Sequence, residues 1–228
     1  MKLPHDASIK ILQNLEMPDL DNDTRAAHTK KLQVLRRQLK HLASDFARHF
    51  PSEHRYSDAY FAYNFPMNIA RTMVVMQEVL QYYPELLMGR NCWCVLDIGC
   101  GDGAGLLGAY YLLRSLSDIQ EFNFLGVDHS LTMLKQARAM ARWHEEQDPR
   151  LHIRFRVRKI DQNCFRIGHK YDIVLCVNSL AEIVRKETIP FGFINSIVDS
   201  LVEDGLIIII EPALKKYAQR LMKLRDTL

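Results

Sequence analysis

Apolar residues recur along this chain with two different periods, and the change from one period to the other falls near residue 91. Before that point, steps of three and four residues predict a helix with one apolar face. The residues on this face are Leu32, Leu35, Leu39, Leu42 and Phe46. A second helix is predicted over 57–83, and the proline at position 66 predicts a break within it. We therefore expect residues 1–90 to form an all-helical lead-in or cap.

From residue 91 onward, short apolar segments alternate with helical segments. The predicted strands cover 92–98, 122–127, 152–160, 171–177 and 206–210. The predicted helices cover 104–117, 131–147, 189–202 and the segment from 214 to the end. Strands that are apolar along most of their length and separated by helices indicate a parallel sheet with both faces covered. The predicted fold class is α/β, with a Rossmann-like, mostly parallel sheet in a domain at 91–228.

Composition narrows the class of protein without identifying it. The 228 residues are 48% hydrophobic and carry a net charge of +3, which is ordinary for a globular protein. No apolar run approaches the roughly 20 residues of a membrane helix, and the first residues lack the apolar core of a signal peptide. We therefore expect a cytoplasmic protein with no membrane partner, while nothing in the pattern indicates an oligomeric state.

The cysteine pattern predicts side chains that pack in the protein core. The five of them contain no Cys-x-x-Cys pair, which argues against a disulfide framework or a closed zinc site. Cys92 and Cys94 are close enough in sequence to share a metal ion, but two ligands are too few to hold one. We therefore predict reduced thiols and no metal site.

A glycine-rich segment connects the first predicted strand of the sheet to a helix. Over 95–103 it reads Val-Leu-Asp-Ile-Gly-Cys-Gly-Asp-Gly. Glycines let a backbone turn tightly and approach a ligand, and free N–H groups at the start of a helix are expected to face that ligand. Gly99, Gly101 and Ala104 also satisfy the Gly-x-Gly-x-x-Ala form of dinucleotide-binding folds. The glycines alone therefore do not select the cofactor.

Of two carboxylates at predicted strand ends, Asp97 favours S-adenosylmethionine, and Asp128 supports a nucleoside ligand of either cofactor class. Asp97 precedes the first glycine, where it can accept a hydrogen bond from the amino group of a methionine moiety and would be a poor neighbour for a pyrophosphate. Asp128 ends the second strand, a position suited to a ribose diol. We predict cofactor contacts from both aspartates and from their neighbours Gly99, Cys100, Gly101, Gly103 and His129.

Polar residues after the third and fourth strands have two interpretations each. Asp161 and Gln162 are placed to meet the adenine edge, or they belong to an ordinary turn. Asn178 and Ser179 lie at the carboxyl edge of the sheet, where ligands bind in open α/β folds, or they begin a helix. We include Asp161, Gln162 and Asn178 among the predicted cofactor contacts.

Four segments resemble, in order, the motifs of class I S-adenosylmethionine-dependent methyltransferases. They are Val-Leu-Asp-Ile-Gly-Cys-Gly-Asp-Gly, Gly-Val-Asp-His-Ser, Tyr-Asp-Ile-Val-Leu-Cys-Val-Asn-Ser and Glu-Asp-Gly-Leu-Ile-Ile-Ile-Ile-Glu-Pro, within 91–212.

The pattern Tyr60-x-x-Tyr63-x-x-Pro66-x-x-x-x-Arg71 and the ending from Glu211 resemble the mitochondrial small-ribosomal-subunit methyltransferase-like family and its bacterial relatives. That resemblance implies ribosomal RNA as a target, and a cysteine-rich metal segment that this sequence lacks. A seven-stranded methyltransferase sheet would also need two more strands, so the sheet is smaller or the sequence is a piece of a longer protein.

The methyl acceptor is only weakly indicated, and no catalytic residue is identified. The segment Asn178-Ser-Leu-Ala181 lacks the prolines that hold a planar amine in many amino-methylating enzymes. Cys176 is predicted inside a strand and is interpreted as a core residue. Tyr60, Tyr63, Asn64 and Arg71 form either a lid on the substrate side or a packing surface for the lead-in helix.

Basic residues suggest RNA or the ribosomal small subunit as a partner. Residues 25–48 hold seven Lys and Arg against one acid, and 215–225 hold five more. Arg154, Arg156 and Arg158 share one face of the third strand. Such basic stripes are suited to binding the phosphate backbone of RNA. Two other interpretations remain: charges protect an edge strand from pairing with another strand, and a basic helix face is often simply solvated.

The predicted function is an S-adenosylmethionine-dependent methyltransferase that acts on RNA, such as small-subunit ribosomal RNA. Two alternatives stay open: a catalytically silent ribosome-assembly factor that keeps the cofactor fold, and a small-molecule methyltransferase. A dinucleotide-dependent oxidoreductase is a more distant alternative.

Overall fold

The helical lead-in predicted from the sequence is present wherever the structure describes it. This structure is a computed structural model that describes residues 10, 25–48, 57–87, 89–116, 119–160, 165, 167–184 and 189–226. Helix α1 spans Arg25–Arg48, helix α2 spans Ser57–Tyr82, and a 3₁₀ turn spans Pro84–Leu87. No helix among these residues is long and apolar enough to cross a membrane.

Helix α2 runs without interruption through Pro66, so the break expected there is wrong. A proline inside a helix removes one backbone hydrogen bond and strains the preceding turn. Here Phe61 and Phe65 before the proline, and Ile69 after it, are all buried in the core. Tertiary packing on both sides of the proline therefore holds the helix together.

Five parallel strands form one sheet in the order β3-β2-β1-β4-β5. The strands are β1 Cys92–Ile98, β2 Glu121–Asp128, β3 Leu151–Val157, β4 Tyr171–Val177 and β5 Leu201–Ile210. Because all strands run in one direction, the loops that follow β1, β2, β4 and β5 lie along the same carboxyl edge. The predicted Rossmann-like α/β fold is confirmed.

Helices cover both faces of the sheet. On one face lie α2, α3 (Ala104–Leu113) and α4 (Leu131–Gln147), and their apolar side chains share a core with Val95 of β1 and Phe124 of β2. On the other face lie α5 (Leu180–Ile183), α6 (Phe191–Val198) and α7 (Lys215–Arg225). The lead-in helix α2 therefore belongs to the same hydrophobic core as the central strand.

Two predicted boundaries differ from the structure because strand pairing overrides local pattern. β3 ends at Val157 rather than at 160, since its partner β2 ends at Asp128, the residue paired with Val157. The helix predicted to reach 202 ends at Val198, and β5 already begins at Leu201, which pairs with Tyr171. A register shift follows, which accommodates the exposed acids between Leu201 and Leu206.

The third strand is an edge strand, and its alternating pattern follows from that position. Leu151 and Ile153 are buried on the face covered by helices, whereas His152, Arg154 and Arg156 are exposed on the opposite face. A strand with one solvated face alternates apolar and polar residues. The arginines identified in the sequence are therefore accessible to solvent or to a partner.

Helices α2 and α3 approach each other most closely at Gly108. A Cβ atom built at this glycine would lie 2.7 Å from Thr72 Cβ and 2.8 Å from the backbone oxygen of Ile69. Both atoms belong to α2 and neither is the end of a flexible chain. The absence of a side chain at Gly108 thus determines how closely the lead-in helix packs on the sheet domain.

We predict that Gly108→Ala lowers the free energy of unfolding by about 1–3 kcal/mol, because the added methyl group must push α2 away from α3. Urea denaturation followed by circular dichroism measures the change. Gly192→Ala is the matched control, since a Cβ atom at this helical glycine meets nothing within 4 Å. Equal stability of the two variants would contradict the close-approach argument.

Candidate functional site

The loop after β1 turns sharply and is fixed to the loop after β4. Gly99, Gly101 and Gly103 have φ angles of 72°, 52° and 82°, which side-chain-bearing residues rarely adopt. A Cβ atom at Gly99 would lie 2.5 Å from Ser179 Cβ, and the Ser179 hydroxyl donates to the Ile98 carbonyl oxygen at 2.6 Å. Ser179 therefore joins the ends of β1 and β4, and its side chain does not cap the following helix.

The backbone amides of this loop are largely used within the fold. Gly99 and Cys100 donate to the Val127 carbonyl oxygen, Gly103 donates to that of Cys100, and Ala104 donates to the Asp102 carboxylate. These four amides, including that of Ala104 at the start of α3, are therefore paired within the fold.

Asp97 is the most unusual residue of the site. Its side chain is fully buried, and neither carboxylate oxygen has a hydrogen-bond partner. The carboxylate lies against Gly105 at the start of α3, where any larger residue would clash with it. Burial, followed by the negative charges of Asp128 and Asp102, raises the pKa of Asp97 well above its usual value. Asp97 is therefore a strong acceptor that lacks a donor.

Asp128 is the last residue of β2, and its carboxylate is hydrogen-bonded to the middle of the glycine loop that follows β1. Its Oδ2 accepts from the Gly101 amide at 2.8 Å, and its Oδ1 accepts from the Ser130 amide at 2.8 Å. His129 Nδ1 lies 3.5 Å from the same Oδ1, and the His129 side chain is exposed. Each oxygen of Asp128 keeps a second lone pair, so it retains the capacity to accept from a ligand hydroxyl.

Of the other predicted loop contacts, Gly101 has only a flexible side-chain end near it, whereas the side chain of Cys100 is tightly packed. The nearest atom to a Cβ built at Gly101 is Met133 Cε at 3.7 Å, whereas Cys100 Sγ fills the position that a side chain at Gly126 would take. Burial raises the pKa of the Cys100 thiol well above its usual value. The side chain of Cys100 is thus packed against β2, and only its backbone borders the loop.

A third carboxylate, Asp102, was not among the predicted contacts. It is 3% exposed, and its Oδ2 has no hydrogen-bond partner. Burial, reinforced by the charge of Asp128, raises its pKa to about 7, although the bond from the Ala104 amide acts in the opposite direction. Its position between two loop glycines was the only signal in the sequence.

Helix α2 covers the carboxyl edge of the sheet opposite this loop. Asn178, directly after β4, has a φ of 55° and donates from Nδ2 to Asn68 Oδ1 of α2 at 2.9 Å. The Asn178 Oδ1 atom is buried and has no partner. Burial, followed by the charges of Asp102, Glu182 and Asp128, raises the pKa of Tyr60 on the same helix. The structure therefore places Asn178 and α2 beside the carboxylates.

Other residues near this edge are less closely tied to the site. Glu211 follows β5, accepts from the Ala181 amide at 3.2 Å and keeps a buried, unpartnered Oε2. Asp161 and Gln162 lie outside the described residues. Cys176 is fully buried in β4, which confirms its core position. Sequence reasoning missed Asn68 and Glu211, although Asn68 follows Asn64 by one helical turn.

The geometry favours a ligand that is positively charged or rich in donors. Asp97, Asp102 and Asp128 place three carboxylates around one loop, and two of them have unpartnered oxygens. Buried carboxylates without donors are costly unless a cation or a hydrogen-bond donor joins them. A zwitterionic amino acid attached to a nucleoside offers an ammonium group and ribose hydroxyls, and it carries no phosphate.

Residues 95–205 match a family model described as a methyltransferase domain. This segment begins in β1, includes the glycine loop, Asp97, Asp128 and Asn178, and ends in β5. No curated protein shows significant sequence similarity to the chain.

Several solved structures are similar to the chain at low identity. A S-adenosylmethionine-dependent methyltransferase from Clostridium acetobutylicum is 20% identical, with a TM-score of 0.42, over 57% of this chain and 46% of that chain. DesVI from Streptomyces venezuelae is 17% identical, with a TM-score of 0.46, over 70% and 57%. The plantazolicin methyltransferase BpumL, solved with a desmethylPZN analogue and SAH, is 17% identical, with a TM-score of 0.47, over 87% and 79%. The chain therefore spans only about half the length of the first two of these structures, 46% and 57%.

We predict that Asp102 makes the ligand-free protein less stable as pH rises from about 4 to about 7, against an opposite contribution from His144, whose burial lowers its pKa to about 4. The unfolded state releases the Asp102 proton near 3.8, while the folded state keeps it up to about 7, so the folded state binds more protons in this window. Asp102→Asn should reduce this slope, by up to about 4 kcal/mol over the full window. Urea denaturation at a series of pH values measures it.

The control for this prediction is Asp204→Asn, which changes an exposed carboxylate on β5. It should leave the slope between pH 4 and pH 7 as it is in the unmodified protein. A slope that Asp102→Asn leaves unchanged would show that Asp102 ionises in the folded state as it does in water.

Proposed function

We propose that this chain, whose residues 95–205 match a methyltransferase-domain model, is a class I S-adenosylmethionine-dependent methyltransferase that transfers a methyl group from that cofactor to RNA. The observation that carries the proposal is the buried Asp97 carboxylate, whose two oxygens lack donors beside a glycine loop that follows a parallel strand. The cofactor, S-adenosylmethionine, supplies the missing donor with its ammonium group.

The residues present fit this cofactor. Asp97 would hold the ammonium group, and Asp128 would accept from the ribose hydroxyls with its remaining lone pairs. Gly101 leaves room for a ligand to approach the backbone. When bound, the cofactor supplies an electrophilic methyl group on a sulfonium centre. The positive charge of that centre is matched by the carboxylates Asp97, Asp102 and Asp128 of the site.

The acceptor is expected near the carboxyl end of β4, where Asn178 adjoins the loop. The buried Oδ1 of Asn178 is a free acceptor, and its amide is held in place by Asn68. An acceptor with an N–H or O–H group would find a partner there. Alignment of acceptor and sulfonium contributes much of the rate enhancement when a reaction needs little proton transfer. The chain's own contribution would then be to orient the two reactants and exclude water.

The support for RNA as the acceptor is exposed positive charge on three elements. Arg154 and Arg156 line the open face of the edge strand β3. Exposed basic residues on the two outer helices are Lys30, Arg36, Arg37 and Lys40 of α1, and Lys215, Lys216, Lys223 and Arg225 of α7. Such surfaces bind phosphate backbones with little regard to sequence. The resemblance of the lead-in segment makes small-subunit ribosomal RNA the first substrate to test.

We predict that Asp97→Asn abolishes binding of S-adenosylhomocysteine, the product of methyl transfer, in isothermal titration calorimetry, because the amide lacks the charge that attracts the ammonium group. The same change should raise the free energy of unfolding at pH 8, since it removes a buried, unpaired charge. Asp204→Asn, an exposed carboxylate, should alter neither property. Unimpaired binding by a folded Asp97→Asn protein would refute the assigned role of Asp97.

We predict that the double change Arg154→Gln and Arg156→Gln weakens RNA binding and reduces the dependence of log affinity on log salt by about 1 to 2 units. The change should leave binding of S-adenosylhomocysteine intact. The matched control removes two exposed charges from α4, through Lys135→Gln and Arg142→Gln. Fluorescence anisotropy with labelled single-stranded RNA at several salt concentrations measures both.

A transfer assay with labelled S-adenosylmethionine separates the proposed function from its alternatives. Label incorporated into small-subunit ribosomal RNA, and lost with Asp97→Asn, would support it. Cofactor binding without any incorporation into RNA would instead favour a silent assembly factor or a small-molecule acceptor, and would overturn RNA as the substrate.

A further inference from the structure

One polar stripe runs along helix α2 beside its buried face, from the half-buried Tyr60 and Asn64 through the buried Asn68 to the exposed Arg71. Its members are Tyr60, Asn64, Asn68 and Arg71, at spacings of four, four and three residues, which places them on one face of the helix. They are interleaved with the buried Phe61, Phe65, Ile69 and Thr72. Four polar residues in register beside a hydrophobic core indicate a surface built to meet something polar.

Two observations place this stripe at the carboxyl edge of the sheet. Asn68 Oδ1 accepts from Asn178 Nδ2 at 2.9 Å and from Arg71 Nη1 at 3.2 Å, so Arg71 is tied to the residue that follows β4. The pKa of Tyr60 is raised by burial and by the carboxylates of Asp102, Glu182 and Asp128, while Arg71 acts in the opposite direction. The stripe therefore adjoins the carboxylates of the glycine loop.

The stripe offers hydrogen-bond donors that have no acceptor. The Asn64 Nδ2 atom is buried and has no partner. Arg71 bonds only to Asn68 and forms no ion pair with any carboxylate in the part of the chain that the structure describes, although several lie nearby. An arginine that makes one hydrogen bond, to Asn68, still has further N–H donors for an anion.

The hydrogen-bond donors on α2 and the hydrogen-bond acceptors on the glycine loop are together complementary to a zwitterionic ligand. An amino acid carries its ammonium and its carboxylate on one carbon atom, so its site needs an acceptor and a donor that border the same space. Asp97 supplies the acceptor at the end of β1, and β4, which pairs with β1, leads to Asn178 and from there to Arg71. A planar guanidinium is well suited to a carboxylate, which it can bind with two parallel hydrogen bonds.

We infer that Arg71, assisted by Asn64, binds the α-carboxylate of the methionine moiety of S-adenosylmethionine, opposite the ammonium group at Asp97. This inference rests on the proposed function, which places that cofactor in the loop. It makes the lead-in helix part of the cofactor site and not only a packing element. The cation on α2 would then meet the single anionic group of the ligand.

Calorimetry with two ligands tests the inference. S-adenosylhomocysteine carries the amino-acid moiety, and 5′-methylthioadenosine lacks it but keeps the nucleoside and the sulfur. Arg71→Met should weaken binding of S-adenosylhomocysteine by about 10- to 100-fold, the usual worth of a charge-assisted hydrogen bond. It should leave binding of 5′-methylthioadenosine unchanged. Arg142→Met, which removes an exposed charge from α4, is the matched control and should affect neither ligand.

The possible results separate this inference from the function it rests on. Failure of the unmodified protein to bind S-adenosylhomocysteine would overturn the proposed function itself. If the unmodified protein binds and Arg71→Met binds equally well, Arg71 does not contact the carboxylate. An equal loss of both ligands would also overturn the inference, because it would show that Arg71 only supports the Asn68–Asn178 contact. A selective loss of S-adenosylhomocysteine confirms it.

Discussion

The buried carboxylate of Asp97 is the constraint on which the rest of the site depends. It has no donor of its own, and desolvation makes its charge costly. The surrounding structure accommodates that cost through the glycine at position 105, which leaves space for the carboxylate, and through the packed strands on either side. A site built this way is less stable without its ligand and gains stability when a cation enters it.

The loop and the lead-in helix supply opposite halves of the site. Parallel strands bring Asp97, Asp128 and Asn178 to one edge, so the floor of the site consists mainly of acceptors. Helix α2 crosses that edge and carries hydrogen-bond donors. The close approach at Gly108 sets the distance between α2 and the sheet domain. A ligand with charges of both signs would join the two halves. The basic surfaces lie apart from this chemistry, on the edge strand and the outer helices.

Errors in the sequence-based predictions fall where long-range contacts outweigh local preference. Pro66 does not interrupt α2, because aromatic packing on both sides outweighs one lost hydrogen bond. β5 begins earlier than its apolar run, because Leu201 pairs with Tyr171 before the register shift. The pattern also did not show that Val127, Asp128 and Asp102 accept hydrogen bonds from amides of the glycine segment. Each case involves a partner that is distant in sequence or a side chain whose direction the pattern does not specify.

The sequence by itself determined the order of strands and helices, the parallel sheet, and the glycine loop between Asp97 and Asp128, because periodicity and backbone freedom are local properties. Only the tertiary structure decided that Asp97 and Asp102 lack donors, and that Asn68 meets Asn178 across 110 residues of chain. Burial and hydrogen-bond pairing depend on which surfaces come together in space, and no local pattern encodes that. The role of the lead-in helix therefore became visible only once the fold had placed it over the loop.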